Sequence, residues 1–306
     1  MNAMQRYLAE EVVEDYADGI ITRREALRRL GLLGVGLPAA TALVAACGSG
    51  ADPSRPTAPA TSSAPATAPA GSRPAGPPPL PTAPITFAGP AGRTLQGAWA
   101  AAKSPRGSVL VIHENKGLTD HIRSVAGRLA ASGYSALALD LLSEEGGSGR
   151  YTDPGQLTAA LNAVPPQRFV EDMKAAVTEL LRRQPTHKVG TVGFCFGGGM
   201  VWSLLAGGES RLAAAAPFYG PLPDKADFAG ARPAAVLAVY GALDSRVNAT
   251  RDAARAALER AGLAHDIVTF PDADHAFFND TGPRYNPTAA AGAYQRLLDW
   301  YGKYLG

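Results

Sequence analysis

At 306 residues, 46% of them hydrophobic and 18% charged, the chain has room for one large domain or two small ones. The formal net charge of +2 is a near balance, and the part that reads as folded carries no basic cluster with interleaved aromatics, which argues against a nucleic-acid partner. Two cysteines, Cys47 and Cys195, lie on opposite sides of a Pro-rich stretch, so a disulfide framework is not expected and each thiol needs its own explanation.

The first segment with a readable pattern is Thr22-Arg23-Arg24-Glu25-Ala26-Leu27-Arg28, followed by the uncharged run Leu30 to Ala46 and ending in Val44-Ala45-Ala46-Cys47. It resembles a twin-arginine export signal joined to a lipoprotein cleavage box. Three glycines and Pro38 interrupt the run, which is short for a stable membrane-spanning helix. The expectation is therefore cleavage before Cys47, a lipid on its thiol, and a protein anchored on the outer side of the bacterial cytoplasmic membrane. An uncleaved anchor helix or a cytosolic amphipathic N-terminus is the alternative. The acidic segment Glu10-Glu11-Val12-Val13-Glu14-Asp15 is unusual ahead of an export signal, and nothing in the sequence accounts for it.

Residues 48 to 84 contain no aromatic residue and are dominated by Pro, Ala, Ser, Thr and Gly. Such a stretch buries too little apolar surface to offset its ordering entropy and reads as an extended tether. Residues 85 to 306 are then a single domain, expected to act as a monomer.

Within that domain strand and helix periods alternate. Strands are expected at Ser108 to Ile112, Ser135 to Leu139, His187 to Val192, Leu212 to Phe218, Ala234 to Val239 and Asp266 to Phe270. Helices are expected after His121, through Phe169, Met173, Ala176 and Leu180, from Phe196, over Arg251 to Ala261, and through Tyr294, Leu297 and Tyr301. Alternating apolar strands and helices imply an α/β fold with a mostly parallel sheet covered on both faces, and ligands of such sheets gather beyond the carboxyl ends of the strands.

Three loops at that edge carry chemistry. Gly193-Phe194-Cys195-Phe196-Gly197-Gly198 reads as a nucleophile elbow with cysteine in place of serine. The helix N-terminus aimed at the thiol should favour thiolate, and the Phe196 amide is a natural oxyanion donor. Asp244 ends the strand Val236 to Tyr240 and its loop, and His275 follows Phe270-Pro271-Asp272-Ala273-Asp274. The order nucleophile, acid, base is that of the α/β-hydrolase triad. No Cys/His pairing has ligand spacing, so no metal and no cofactor are expected.

These residues, together with Val111-Ile112-His113-Glu114-Asn115-Lys116-Gly117-Leu118, resemble a dienelactone hydrolase (carboxymethylenebutenolidase) over about Arg93 to Tyr304. The resemblance implies an α/β-hydrolase fold, a glutamate at Glu114 that contacts the cysteine and takes its proton when substrate arrives, and an Asn115 amide that completes the oxyanion hole. It implies hydrolysis of a small ester or enol lactone through a thioester on Cys195. That family holds a substrate carboxylate with arginines, one of them four residues after the catalytic histidine, where this chain has Asn279. Arg150, Arg168, Arg246 and Arg284 are candidate substitutes, with Tyr151 beside the first, and the stretches Ser143 to Pro165 and Asn279 to Pro287 are expected to shape the substrate mouth. Two other readings stay open: a cysteine hydrolase of this fold acting on other esters or acyl thioesters, and a surface lipoprotein that binds without reacting.

Overall fold

The computed structural model describes residues 3–48 and 74–306. Residues 49–73, most of the expected tether, lie outside the described residues, as does the side chain of Cys47. Three helices come first: α1 (Ala3–Ala17), α2 (Arg23–Leu32) and α3 (Leu37–Gly48). Strands β1 (Ala83–Ala88), β2 (Thr94–Ala100) and β3 (Gly107–Ile112) follow, then α4 (Asp120–Ala131), β4 (Tyr134–Leu139), α5 (Pro154–Ala163), α6 (Pro166–Arg183) and β5 (Val189–Phe194). The chain closes with α7 (Phe196–Ala206), β6 (Leu212–Phe218), β7 (Ala235–Gly241), α8 (Ser245–Asn248), α9 (Arg251–Ala261), β8 (His265–Phe270) and α10 (Pro287–Tyr304).

One eight-stranded sheet runs in the order β1-β2-β4-β3-β5-β6-β7-β8. β3 through β8 pair in parallel, while β2 runs antiparallel to both β1 and β4. Every residue of β3, β4 and β5 is buried, which a strand can satisfy only when helices cover both faces of its sheet. α6 and α7 pack over β3 and β5, α4 over β2, β3 and β4, and α10 over β6 and β7. This is the expected α/β-hydrolase fold.

α6 shows why these segments become helices. Pro166 supplies a preset φ at its start, Phe169, Met173, Ala176, Val177 and Leu180 recur on one buried face, and Arg182 and Arg183 sit in the last turn, where the helix dipole favours cations.

The two antiparallel strands β1 and β2 were not anticipated. The expected start of the domain at residue 85 falls inside β1, whose Ala83 and Pro84 pair with Trp99 and Ala98. Residues upstream pack as well: the Ala75 carbonyl accepts from buried Arg128 Nη1 at 2.8 Å, and the Leu80 amide donates to Gly127 at 3.0 Å. Proline and alanine here act as edge and packing residues, a use that composition does not distinguish from a tether.

The apolar run Leu30 to Ala46 is divided between two helices. α2 ends at Leu32, Gly34 takes a φ of +80°, and α3 starts at Leu37 with Pro38 in its first turn. Among the described residues no helix is long and apolar enough to cross a membrane. Of the three N-terminal helices, α1 and α2 pack on the α/β domain at α5, and α3 packs on α1 and α2. α1 buries Tyr7, Leu8, Ala9, Val12 and Val13, and on α2 Arg28 reaches Asp153, the N-cap of α5, at 2.8 Å. Each large aliphatic side chain so buried contributes roughly 1.5–3 kcal/mol relative to exposure.

Candidate active site

Cys195 stands between β5 and α7 with φ +56° and ψ −119°, a conformation in which a non-glycine residue is strained and which persists only where its surroundings dictate it. They do so here through close packing. A Cβ on Gly193 would lie 2.1 Å from the Gly197 carbonyl oxygen, and one on Gly197 would lie 2.4 Å from that of Ile112. The Cys195 amide donates to Phe218 at 3.1 Å and its carbonyl accepts from Gly199 at 3.1 Å. Phe196 opens α7, so its amide has no acceptor within the helix.

His275 is fully buried and its Nδ1 lies 2.7 Å from Asp244 Oδ2. The other oxygen of Asp244 accepts from the Val247 amide at 3.0 Å and caps α8, which fixes the carboxylate. The His275 ring packs edge-on to Tyr219, centroids 5.3 Å apart. The structure thus brings together all three residues singled out in the sequence.

Glu114 is buried, and its Oε2 accepts from Asn279 Nδ2 at 2.6 Å, while Oε1 has no protein partner. Asn279, four residues after His275, orients this carboxylate, a different task from the substrate contact expected of that position. His113, next to Glu114, is structural: its Nε2 accepts from the Leu141 amide at 3.1 Å.

Of the candidate arginines, Arg246 and Arg284 lie at the site. Arg150 is exposed and donates to the Glu145 carbonyl, and Arg168 is held by Glu144 and Glu145. Neither these two nor Tyr151 lines the cavity that reaches Cys195. That cavity, about 60 Å³, is lined by Glu11, Glu114, Asn115, Lys116, Asn279 and Arg284 among others. Pro154 and Thr158 of α5 and residues 282–284 also reach it, as expected for the two mouth segments.

The residues that sequence reasoning missed come from α1. The Tyr7 hydroxyl lies 3.1 Å from Cys195 Sγ and 3.4 Å from His275 Nε2. The thiol donates to Glu11 Oε1 at 3.7 Å, and Glu11 Oε2 lies 3.4 Å from His275 Nε2. Glu11, and not Glu114, is therefore the carboxylate in contact with the thiol. Arg246 binds Glu11 and Glu14, both at 2.9 Å, and its guanidinium lies 4.5 Å from the centre of the Tyr7 ring. Arg284 binds Asp15 at 3.1 Å and Asp18 at 2.8 Å. The signal was available: Tyr7, Glu11, Asp15 and Asp18 recur at three- and four-residue steps, one face of a helix.

The electrostatics follow. Burial pushes the Glu11 carboxyl up, but the charges of His275, Arg246 and Arg284 outweigh it and hold the group at about 2. Glu14 shares Arg246, yet burial dominates and its carboxyl rises. Burial acts to lower the His275 imidazolium, and Glu11, Cys195 and Asp244 more than reverse this, raising it well above its ordinary value. Burial and the Glu11 charge push the Cys195 thiol up. The thiolate bias expected from the helix N-terminus is overridden in this state. Among the described residues, Glu11, Cys195 and His275 also form a group whose ligand atoms, within 4.8 Å of one another, could hold a metal ion.

Residues 95–305 match the model of the dienelactone hydrolase family. A protein of Escherichia coli O157:H7 provisionally named carboxymethylenebutenolidase is 34% identical over 210 residues, 65% of this chain and 77% of the relative. A crystal structure from Klebsiella pneumoniae, provisionally titled dienelactone hydrolase, superposes with a TM-score of 0.64 at 29% identity, covering 74% of this chain and all of that one. A dienelactone hydrolase-like promiscuous phosphotriesterase from metagenomic libraries gives 0.63 at 26% identity with the same coverage.

Proposed function

Since this chain belongs to the dienelactone hydrolase family, we propose that it is a carboxylic ester hydrolase that opens small esters or enol lactones with Cys195 as nucleophile. The observation that carries this reading is Cys195 on a strained elbow beside a His275–Asp244 pair 2.7 Å apart. Cys195 attacks the acyl carbon, its proton passing to Glu114 or to His275. Glu114 suits the first role because its buried Oε1 has no protein partner and the residue lines the cavity that reaches the thiol. The oxyanion rests on the amides of Phe196 and Asn115, and the alkoxide or enolate leaves with the proton. His275 then activates a water that hydrolyses the thioester, with Asp244 stabilising the imidazolium.

A thiolate leaves more readily than an amine or simple alkoxide, so collapse of the adduct favours activated esters, enol esters and lactones over peptides. Arg246 and Arg284, freed of their carboxylate partners on α1, are the groups that would hold a substrate carboxylate. The leader is an export signal, supported by exposed Arg23 and Arg24 at the start of α2, with Cys47 lipidated after cleavage. Replacing Cys47 by Ala should then move the protein from the membrane fraction to the soluble one.

The reaction is tested with p-nitrophenyl acetate and an enol lactone, comparing the native chain with Cys195→Ala. Turnover that depends on Cys195 supports the reading; measurable turnover sustained at the same rate by the Cys195→Ala variant refutes it.

A further inference from the structure

The family match begins at Leu95, so α1 is an addition to the fold, and it fills the mouth of the active site. Tyr7 and Glu11 occupy the space above Cys195 where an acyl group would have to enter, at 3.1 and 3.7 Å from Sγ. The thiol is 2% and His275 0% exposed. The remaining cavity, about 60 Å³, falls well short of the roughly 300 Å³ at the lower end of small-molecule sites.

We propose that the catalytic face is a docking surface for the acidic helix α1, which serves as an intramolecular inhibitor until the leader is removed. The occupant is matched to its site by charge. Four carboxylates of α1 and its end, Glu11, Glu14, Asp15 and Asp18, meet Arg284, which lines the cavity, and Arg246, which stands over the Tyr7 ring. It is matched by shape as well, since Leu8 and Val12, four residues apart, are buried beside the polar row. Glu11 itself is only 6% exposed, a burial that a carboxylate tolerates only with charged partners. Here those partners are Arg246 and the His275 ring.

Docking disables the chemistry as well as the access. Glu11 Oε2 and the Tyr7 hydroxyl both lie 3.4 Å from His275 Nε2, so the nitrogen that would take the thiol proton is already engaged by α1. The acidic segment ahead of the twin arginines thereby acquires a function. Arg23 and Arg24 remain exposed while α1 is docked, so a folded, silent precursor can still present its export signal. Loss of α1 through cleavage before Cys47 rests on the reading of the leader given above.

The test uses the full chain and reads alkylation of Cys195 by iodoacetamide, located on its own peptide by mass so that Cys47 does not contribute. Glu11→Ala and Tyr7→Ala should each raise the rate roughly tenfold or more, the shift expected from losing one buried hydrogen bond to a charged group. A site-specific protease sequence placed within residues 49–73 and cut after folding should do the same. A synthetic peptide of residues 1–20 should slow the cut protein again, and the peptide carrying Glu11→Ala should not. Unchanged or slower alkylation in both variants and after cutting would overturn the inference. Alkylation needs no substrate, so faster alkylation without ester hydrolysis would uphold the docking and refute the hydrolase. Hydrolysis through Cys195 at equal rates before and after cutting would do the reverse.

Discussion

The elbow at Cys195 and the docked helix α1 meet at the same sulfur, but they are specified in different ways. The elbow is local: Gly193, Cys195, Gly197 and Gly198 lie within six consecutive residues, and each glycine is required by a backbone close by. The contacts of α1 with Cys195 and His275 span 184 to 268 positions, from Glu11 to Cys195 and from Tyr7 to His275. A short motif can be read directly because its residue types stand together in the chain, even where, as at Gly197 and Gly198, the backbone that crowds them comes from Ile112 and Phe218. A docking surface is written as two separated half-patterns, an acidic helix face and a pair of loop arginines, and neither signifies a contact alone.

The largest effect should come from breaking the local half. Cys195→Ala should lower hydrolysis of p-nitrophenyl acetate by a factor on the order of 10⁴ or more, as removal of a nucleophile from a triad does, and stopped assays on the leader-cut protein measure it without interference from α1. Next comes Asp244→Asn, expected to cost on the order of 10²–10⁴ in turnover by presenting the wrong partner to His275 Nδ1. Its circular dichroism should match the parent, because the Asp244 oxygen that caps α8 is retained or replaced by an amide oxygen.

A smaller and more discriminating effect belongs to the long-range half. The Cys195 thiol faces Tyr7 and Glu11 of α1, His275, and Glu114 beyond β3, and burial followed by the Glu11 charge raises its pKa. Protonated thiol is therefore the state held up to a higher pH than usual, and thiolate appears only above it. Removing the charge by Glu11→Gln should move the rising limb of the alkylation-versus-pH profile to lower pH. A limb that stays in place, or moves up, would mean that Glu11 does not govern the thiol. The smallest effect is structural: Asn279→Ala leaves both oxygens of buried Glu114 without a protein donor and should lower stability by about 1–3 kcal/mol in urea melts. No loss would show that water replaces the amide.

The sheet from β3 to β8 was legible in the sequence because each strand carries a short apolar stretch, fully buried in β3 to β5 and partly buried in β8 (HDIVTF), with helices between. Strands β1 and β2 were not. β1 begins in Ala83 and Pro84, at the end of a Pro/Ala-rich stretch whose composition resembles a linker, and its pairing with Trp99 and Ala98 becomes visible only in the assembled sheet. That Cys195, Asp244 and His275 come together was legible because their order and loop positions follow a pattern that this fold constrains. Tyr7 and Glu11 were not, because the leader was read through its address alone. Asn279 shows a subtler limit. Its position relative to His275 was clear, but that its amide turns to Glu114 depends on β3 and the His275 loop meeting, at a separation of 165 residues.

The most direct test of the hydrolase itself is to cut the leader from the folded protein, start p-nitrophenyl acetate turnover, quench in acid during the first turnovers, and map the acetylated residue by peptide mass. The account predicts an acetyl group on Cys195 that disappears on a chase with water and is absent from Cys195→Ala. Turnover with the acetyl group on another residue, or sustained hydrolysis by Cys195→Ala, would contradict it.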